Sequence, residues 1–302
     1  MEEKTVERIL ELKRERNAII LAHNYQRPEV QDIADFTGDS LELSRKAAQN
    51  DAEVIVFCGV HFMAETAKIL SPQKTVLLPD EEAGCPMADM ITAEQLKSKR
   101  AEHPTARVVC YVNSSAAVKA GSDICCTSAN AVEVVRSLDA DLPILFVPDQ
   151  YLGHYVMRKT GRELLLWPGY CPTHMKITVK DISEQKRRFP DAKVLVHPEC
   201  RPDVIDAADE VLSTGGILRY AQNAKGGTLI VGTETGILHR LRKENPNVQY
   251  VPVTEKASCP NMKRINLEKV LASLEEMKPQ IQVPEDIRQQ AWKAVESMLR
   301  LR

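Results

Sequence analysis

Three cysteines recur at nearly equal intervals along the chain. Cys85, Cys171 and Cys259 are separated by 86 and 88 residues, and each follows an apolar run. Three thiolates without a fourth nearby partner suit a [4Fe-4S] cluster with one exposed iron, and they also suit a three-cysteine zinc site. An open metal position acts as a Lewis acid. The spacing therefore predicts a metal centre at which a substrate carboxylate or nitrogen can bind.

Polar residues repeat in the same register as the cysteines. Two sets keep steps of 88 and 86 residues, namely His23, Tyr111 and His197, and Tyr25, Asn113 and Glu199. A third set contains the hydroxyl residues Ser40, Ser128 and Thr214, each at an expected helix start. Helix N-termini offer free N–H groups and a partial positive charge, which favour anions. The pattern predicts a pocket for a small anion, lined by side chains that can move protons.

The elements that must position these residues are short apolar runs typical of buried strands. Three runs end at the polar residues: AIILAHNY from residue 18, RVVCYVN from residue 107 and KVLVHPE from residue 193. Six further runs begin at Val54, Thr75, Ile144, Glu163, Thr228 and Val248. Helical stretches separate several of them, and this alternation predicts an α/β fold with mostly parallel sheets. The shared register predicts three pseudo-threefold-related αβα units, each of roughly 87 residues.

The unit boundaries follow from the repeat. The first unit is expected to span residues 1–85 together with 265–302, the second 86–171 and the third 172–264. The terminal segments are predicted to be helices that pack together and close the first unit. In parallel sheets, ligands bind beyond the carboxyl ends of the strands, so we expect one central cavity where the three units meet.

Composition excludes several classes of protein. The 302 residues are 43% apolar and 27% charged, which is enough for a folded core. A formal charge of −2 provides no broad basic surface, so we expect no nucleic acid partner. We also expect no membrane partner and a cytoplasmic location, because no long apolar run or secretory signal is present. Eight cysteines in a reducing compartment favour metal binding, catalysis or burial over disulfides.

A set of segments, in order, resembles the quinolinate synthase family of bacteria and archaea. The segments are HNYQ (23–26), GDSLELS (38–44), AGCPMA (83–88), YVNSSAAVKA (111–120), CTSANA (126–131), GYCPTH (169–174), HPEC (197–200), STGG (213–216) and CPNMK (259–263). The resemblance covers about residues 18 to 270. It implies a triangular molecule of three αβα domains, with one [4Fe-4S] cluster bound by Cys85, Cys171 and Cys259.

The resemblance also implies a reaction. The family condenses iminoaspartate, made by L-aspartate oxidase, with dihydroxyacetone phosphate to give quinolinate, phosphate and water for NAD biosynthesis. Both substrates are small anions, in agreement with the predicted pocket. The exposed iron is expected to act as the Lewis acid that promotes dehydration.

The resemblance assigns expected roles to individual residues. The dicarboxylate is expected to contact the following residues: His23, Ser40, Tyr111, Val112, Asn113, Ser128, His197, Pro198, Glu199 and Thr214. Tyr25 is expected to help gate the cavity and handle the triose, and His23 and Tyr111 to assist proton transfer. Glu199 is expected to shuttle protons, with a pKa raised by burial beside the cluster.

Two other functions fit the same residues. A zinc-dependent lyase or aldolase would use the same three cysteines, and a non-catalytic protein could bind a small anionic metabolite without metal. The remaining cysteines have a structural interpretation, because free cysteine is commonly buried. On this ground Cys58, Cys110 and Cys200 are expected to be packing residues.

Overall fold

The structure is a computed structural model that describes residues 2–301. It contains three four-stranded parallel sheets in sequence order. The strands of the first sheet are β1 (Ala18–His23), β2 (Phe36–Gly38), β3 (Val54–Cys58) and β4 (Thr75–Leu77). Those of the second are β5 (Arg107–Tyr111), β6 (Ile124–Cys126), β7 (Ile144–Val147) and β8 (Leu165–Leu166). Those of the third are β9 (Lys193–Val196), β10 (Glu210–Val211), β11 (Thr228–Gly232) and β12 (Gln249–Pro252).

Helices alternate with these strands along the chain. Those that begin before the second sheet are α1 (Glu2–Glu15), α2 (Pro28–Ile33), α3 (Ser40–Ala48), α4 (His61–Leu70) and α5 (Ala93–Glu102). Those from the second sheet to the third are α6 (Ala116–Ala120), α7 (Ala131–Ser137), α8 (Gln150–Thr160) and α9 (Val179–Arg188). The remainder are α10 (Pro202–Asp206), α11 (Thr214–Asn223), α12 (Ile237–Glu244), α13 (Leu267–Glu276) and α14 (Glu285–Arg300).

All three sheets have the same strand order. The first is β2-β1-β3-β4, the second β6-β5-β7-β8 and the third β10-β9-β11-β12. The central strand of each sheet pairs with its short neighbour in parallel, beginning at Leu21 with Phe36, Val109 with Ile124 and Leu195 with Glu210. The predicted fold class, α/β with three repeated αβα units, is confirmed. The exact unit boundaries stay a prediction.

An aspartate fixes the start of the central strand in each unit. Its N–H donates to a strand carbonyl, and its carboxylate accepts the N–H of the same strand residue. The carboxylate contacts are Asp35 to the N–H of Ile20 (2.8 Å), Asp123 to Val108 (2.7 Å) and Asp209 to Val194 (2.8 Å). These three pairs are again 88 and 86 residues apart, so the repeat extends to residues that shape the sheet.

The cysteine loops are also built alike. Each cysteine comes three residues before a 3₁₀ turn, and the turns are Ala88–Met90, His174–Lys176 and Met262–Arg264. The helix that follows begins at a side-chain cap, which is Thr92 for α5, Thr178 for α9 and Asn266 for α13. A capped helix start satisfies N–H groups that would otherwise lack a partner. The cap therefore fixes where each cysteine loop ends.

The terminal helices differ from the expectation that they pack mainly against each other. Helix α1 packs against α13, whereas α14 lies on α6 and β6 of the second sheet and reaches α4. Ahead of α14, the segment around Gln280 runs antiparallel beside β4, where the N–H of Ile281 donates to Val76. The end of the chain thus links the first and second units.

The core is made of the strands and the inward faces of the helices. Cys58, Cys110 and Cys200 are completely buried, which confirms the expectation that they are packing residues. In the described part of the chain, none of the helices combines the length and apolar character that crossing a bilayer requires.

Candidate functional site

A cavity of about 180 Å³ lies at the carboxyl ends of the strands. Twelve of the predicted site residues line it: His23, Tyr25, Ser40, Cys85, Tyr111, Asn113, Ser128, Cys171, His197, Glu199, Thr214 and Cys259. They come from all three units. The sequence repeat therefore brought together residues that are far apart along the chain.

Two predicted residues, Val112 and Pro198, do not line the cavity. Val112 is 1% exposed, and its N–H donates to the carbonyl of Cys126 (2.9 Å). Pro198 is buried between His197 and Glu199. Their position suggests a backbone role, in which they hold the neighbouring polar side chains at the cavity wall.

The three cysteines are half-buried in the cavity wall. A backbone hydrogen bond from a residue at a helix start, or just before it, anchors each loop two residues before its cysteine. These bonds run from His61 to Ala83 (2.8 Å), from Gln150 to Gly169 (2.9 Å) and from Thr235 to Ala257 (3.0 Å). The three loops are thus held by equivalent contacts in the three units.

The donor set fits a metal centre that binds soft thiolates. Burial raises the pKa of the Cys85 thiol to about 12 and that of Cys171 well above its usual value, so each thiolate needs a nearby cation. Backbone N–H groups already point at the sulfurs, from Met87 and Ala88 to Cys85 and from His174 to Cys171. Three sulfurs at one cavity fit a cluster with one open iron, and they also fit zinc.

Glu199 lies among the acid–base side chains and is 3% exposed. Tyr111 donates a 2.5 Å hydrogen bond to Oε1, and Nδ1 of His174 lies 2.7 Å from Oε2. Burial alone raises the pKa of Glu199, but the charge and hydrogen bond of His174 outweigh it, helped by His197 and Tyr111, and the pKa is lowered. The expectation of a raised pKa is therefore wrong, because the carboxylate has partners that stabilise its charged form.

His174 is a site residue that the repeat did not reveal. Its Nδ1 lies 3.2 Å from Sγ of Cys171, and its Nε2 lies 2.9 Å from Oγ1 of Thr233. With Cys171 and Glu199 it forms a group whose potential metal-binding atoms all lie within 4.8 Å of one another. The equivalent positions in the other units are Ala88 and Met262. The signal that could have found it is its position three residues after a cysteine, at the start of a 3₁₀ turn.

His23 and His197 share one local geometry. In each, Nδ1 accepts the backbone N–H two residues ahead, from Tyr25 (3.2 Å) and from Glu199 (3.3 Å). Burial lowers the pKa of both imidazoles to about 3, so both are neutral near pH 7. A neutral ring that accepts at Nδ1 carries its proton on Nε2. Each histidine therefore offers one N–H donor, and Nε2 of His197 lies 3.1 Å from Oγ of Ser128.

Tyr25 lies where the first unit meets the third. Its hydroxyl is 2.9 Å from Oγ1 of Thr214 and 2.6 Å from Oγ1 of Thr233, and its ring meets His23 edge-on at 4.5 Å. Thr233 also contacts His174. A continuous chain of hydrogen bonds thus joins Tyr25 to the Glu199 group.

The cavity also provides groups for binding an anion. Ser40 and Thr214 are the first residues of α3 and α11, and Ser128 comes three residues before α7. Oδ1 of Asn113 is buried without a partner among the described residues, so it is available to a ligand. Lys176 brings an ammonium group to the wall, where it donates to the carbonyl of Ser258 (3.2 Å).

Three α/β units around a cavity with acid–base groups and three cysteines define an enzyme active site. The family model of quinolinate synthetase A protein (NadA) matches residues 7–300. Over 294 residues, the chain is 62% identical to a quinolinate synthase of Dehalococcoides mccartyi, covering 97% of both chains. It is 56% identical over 294 residues to quinolinate synthase 1 of Methanosarcina acetivorans, covering 97% of this chain and 96% of the relative. A quinolinate synthase of Thermodesulfovibrio yellowstonii is 54% identical over 302 residues, covering 100% of this chain and 99% of the relative.

The chain therefore belongs to the quinolinate synthetase A protein family and is an enzyme. The family resemblance seen in its motifs is confirmed.

Proposed function

We propose that this enzyme is a quinolinate synthase that condenses iminoaspartate with dihydroxyacetone phosphate. The products are quinolinate, inorganic phosphate and, by atom balance, two molecules of water. The observation that carries the proposal is that three cysteines from three units share one cavity with Glu199 and its proton-bearing partners. The names of the relatives and the anion-binding groups of the cavity support it.

We propose that Cys85, Cys171 and Cys259 hold one [4Fe-4S] cluster. When bound, the cluster would supply an open iron that acts as a Lewis acid toward a substrate carboxylate or nitrogen and assists loss of hydroxyl. The half-buried sulfurs and the N–H groups aimed at two of them support this assignment.

The dicarboxylate is proposed to bind between the helix starts and the two neutral histidines. Ser40, Ser128 and Thr214 would donate to carboxylate oxygens, together with Nε2–H of His23 and His197. Asn113 can accept from the imine N–H through Oδ1 and donate through its amide nitrogen. Val112 and Pro198 would contribute through the backbone that holds Tyr111, Asn113 and Glu199.

The phosphate of the triose is proposed to lie near Lys176. The wall of the described cavity includes this one lysine, and its side chain is exposed toward solvent. An ammonium group attracts a phosphate as a point charge. The phosphate group leaves during the reaction, so a site near the solvent-exposed rim also favours its release.

Glu199 is proposed to accept protons from substrate carbon, because its lowered pKa keeps it ionised. Tyr111 and His174 contact opposite oxygens of the carboxylate and can return a proton to substrate oxygen. Tyr25, 9% exposed and bonded to two threonines, would cover the triose and exclude water.

The substrate suggests a functional coupling. Iminoaspartate is an imine that water hydrolyses, so a nearby source such as L-aspartate oxidase is expected to supply it. A cysteine-bound cluster and eight free cysteines fit the reducing cytoplasm.

The test uses protein purified without oxygen and supplied with L-aspartate oxidase, aspartate and dihydroxyacetone phosphate. The proposal expects quinolinate formation, absorption near about 400 nm and about four irons per chain. All three should be lost or reduced in Cys85→Ser, Cys171→Ser and Cys259→Ser. Bound zinc without colour would favour a zinc-dependent lyase or aldolase. Ligand binding that survives all three substitutions, without turnover, would favour a metabolite-binding protein.

A further inference from the structure

An ion pair between a buried carboxylate and a partly buried lysine lies next to the third cysteine. The side chain of Glu234 is completely buried, and Nζ of Lys263 lies 3.1 Å from its Oε1 and 3.3 Å from its Oε2. Glu234 follows strand β11, and Lys263 belongs to the 3₁₀ turn after Cys259. An ion pair with a buried member contributes little net stability but is costly to break, because removing the lysine leaves the buried carboxylate without its cation. The function of the pair is therefore expected to lie in the two backbone loops that its side chains hold in place.

Glu234 holds the backbone of the cysteine loop. Its Oε1 accepts the N–H of Cys259 (3.0 Å), and its Oε2 accepts the N–H of Gly236 (2.7 Å). Hydrogen bonds to a charged acceptor are stronger than neutral ones. The carboxylate thus fixes the residue whose sulfur is proposed to bind the cluster.

Lys263 holds the loop that carries Tyr25. Its ammonium group donates to the carbonyl of Tyr25, and its own carbonyl accepts from Nε of Arg27 (2.8 Å). Next to it, the amide of Gln26 meets Sδ of Met262 (3.7 Å). Residues 25–27 of the first unit are therefore docked on the cysteine turn of the third.

Gly236 shows how closely these groups converge. A Cβ atom at this position would lie 2.5 Å from Nζ of Lys263, 2.7 Å from the carbonyl oxygen of Tyr25 and 2.8 Å from Oε2 of Glu234. Its backbone angles, φ −60° and ψ −25°, are open to any residue. Glycine is required here because the three groups fill the space, and not because of the backbone.

The Glu234–Lys263 pair has no complete counterpart at the equivalent positions of the other two units. By strand register, the positions equivalent to Glu234 are Val60 in the first unit and Asp149 in the second, and those equivalent to Lys263 are Asp89 and Met175. Asp149 is also a buried carboxylate, but it caps α8 and has no lysine at the position that matches Lys263. The other cysteine loops thus lack this pair at the corresponding places. Tyr25, which the pair holds, is likewise specific to the junction of the first and third units.

We propose that Glu234 and Lys263 are a positioning pair that makes the Cys259 loop and the Tyr25 loop move as one body. The inference rests on the proposed function in that Cys259 holds the cluster and Tyr25 covers the triose. Loosening the pair should therefore expose the cluster and weaken triose binding together. Glu234 reaches the cavity wall, whereas Lys263 lies outside it and does not need to contact the substrate.

The experiment compares Lys263→Met with Lys263→Arg and with Lys269→Met. Lys269 also forms an ion pair, with Asp80 at 2.5 Å, on the same C-terminal segment but outside the cavity wall. Hydrogen exchange is measured on peptides that cover residues 23–28 and 257–263. We expect Lys263→Met to speed exchange by about tenfold in both peptides, since both loops lose one anchor. Lys263→Arg should restore much of the protection, and Lys269→Met should leave both peptides as in the wild type.

Kinetics supply a second measurement. In Lys263→Met we expect the KM for dihydroxyacetone phosphate to rise about fivefold, with a smaller change in kcat, because the cover over the triose is loosened. Bleaching of the cluster in air should be faster than in Lys269→Met. If Lys263→Met does not fold, Gly236→Ala replaces it, because this variant keeps both charges and places a methyl group between them.

The outcomes are separable from those of the proposed function. Wild-type exchange in both peptides of Lys263→Met, or faster exchange in only one of them, would overturn the coupling. A wild-type protein without iron would refute the cluster assignment, while the exchange measurement would still decide whether the two loops move together.

Discussion

The hydroxyl of Tyr111 donates a 2.5 Å hydrogen bond to Oε1 of Glu199, joining the strand end of the second unit to that of the third. Both side chains are nearly completely buried, at 4% and 3% exposure. Burial and the neighbouring charge of Glu199 raise the pKa of Tyr111, so the phenol keeps its proton. The contact therefore places a fixed donor beside an ionised acceptor, which is an arrangement suited to proton transfer.

Replacement of Glu199 by Gln should abolish turnover while the cluster spectrum stays intact. The amide has nearly the same shape but cannot accept a proton, so kcat is expected to fall by about 10²- to 10⁴-fold. The measurement is quinolinate formation together with the absorption spectrum. Glu210→Gln, which changes an exposed carboxylate in the same unit, is the control. Normal turnover in Glu199→Gln would remove this residue from the mechanism.

Replacement of Lys176 by Gln should weaken binding of the phosphorylated substrate specifically. We expect the KM for dihydroxyacetone phosphate to rise about tenfold, because the phosphate loses its cation, while the KM for iminoaspartate changes little. The effect should shrink at high ionic strength, where salt screens the charge in the wild type. Lys180→Gln, at an exposed position on α9, is the control. An equal rise in both KM values would argue for a general loss of shape and against a phosphate site.

Replacing any one of the three aspartates that bond to the central strands should lower stability by a similar amount. Asp35→Ala, Asp123→Ala and Asp209→Ala each leave the N–H of a strand residue without its carboxylate partner. Each loss should lower the free energy of unfolding by about 1–3 kcal/mol. Denaturant unfolding measures this, and KM values should stay close to wild type because these residues lie away from the cavity wall. A large KM change in one variant only would show that its unit is not equivalent to the others.

The sequence was informative about strands that lie within apolar runs and uninformative about the remaining strands. The nine apolar runs correspond to β1, β3, β4, β5, β7, β8, β9, β11 and β12. The unpredicted strands β2, β6 and β10 contain two or three residues and lie outside the nine apolar runs. Strands β4 and β8 are equally short, but the apolar runs that begin at Thr75 and Glu163 extend beyond them. They occupy the same edge of each sheet, and their pairing is fixed by the aspartate contacts with the central strand.

Some residues of the site could likewise be predicted from the sequence, and others could not. Residues repeated in all three units were predicted, because an equal spacing distinguishes them from chance polar residues. His174 and Lys263 occur in one unit only, and the acidic residue Glu234 is matched only by Asp149 of the second unit, so the repeat gave no threefold signal for them. The sign of the Glu199 pKa shift was also inaccessible, because it depends on His174, whose approach from another loop is visible only in the fold.

Stability should decrease as the pH falls below about 6.5, because of His23 and His197. In the unfolded chain a histidine takes up a proton near pH 6.5. In the folded protein burial lowers the pKa of both to about 3, and for His23 repulsion by Lys263, and by His197 once it is protonated, adds to the effect. Between about pH 3 and 6.5 the unfolded state therefore binds more protons than the folded state. The free energy of unfolding rises with pH in this window, and stability is lost on acidification.

Each histidine should contribute a slope of up to about 1.4 kcal/mol per pH unit in this window. Urea unfolding of wild type and His23→Asn is measured without oxygen between about pH 4.5 and 7. The difference between the two slopes gives the contribution of His23, because the effect of any bound metal is common to both proteins. We expect the variant to have the shallower slope. Ser40→Ala, which alters the same cavity but keeps both histidines, should retain the wild-type slope. Equal slopes for wild type and His23→Asn would mean that this imidazole can take up a proton in the folded protein, which would contradict its assignment as a neutral Nε2–H donor to the substrate.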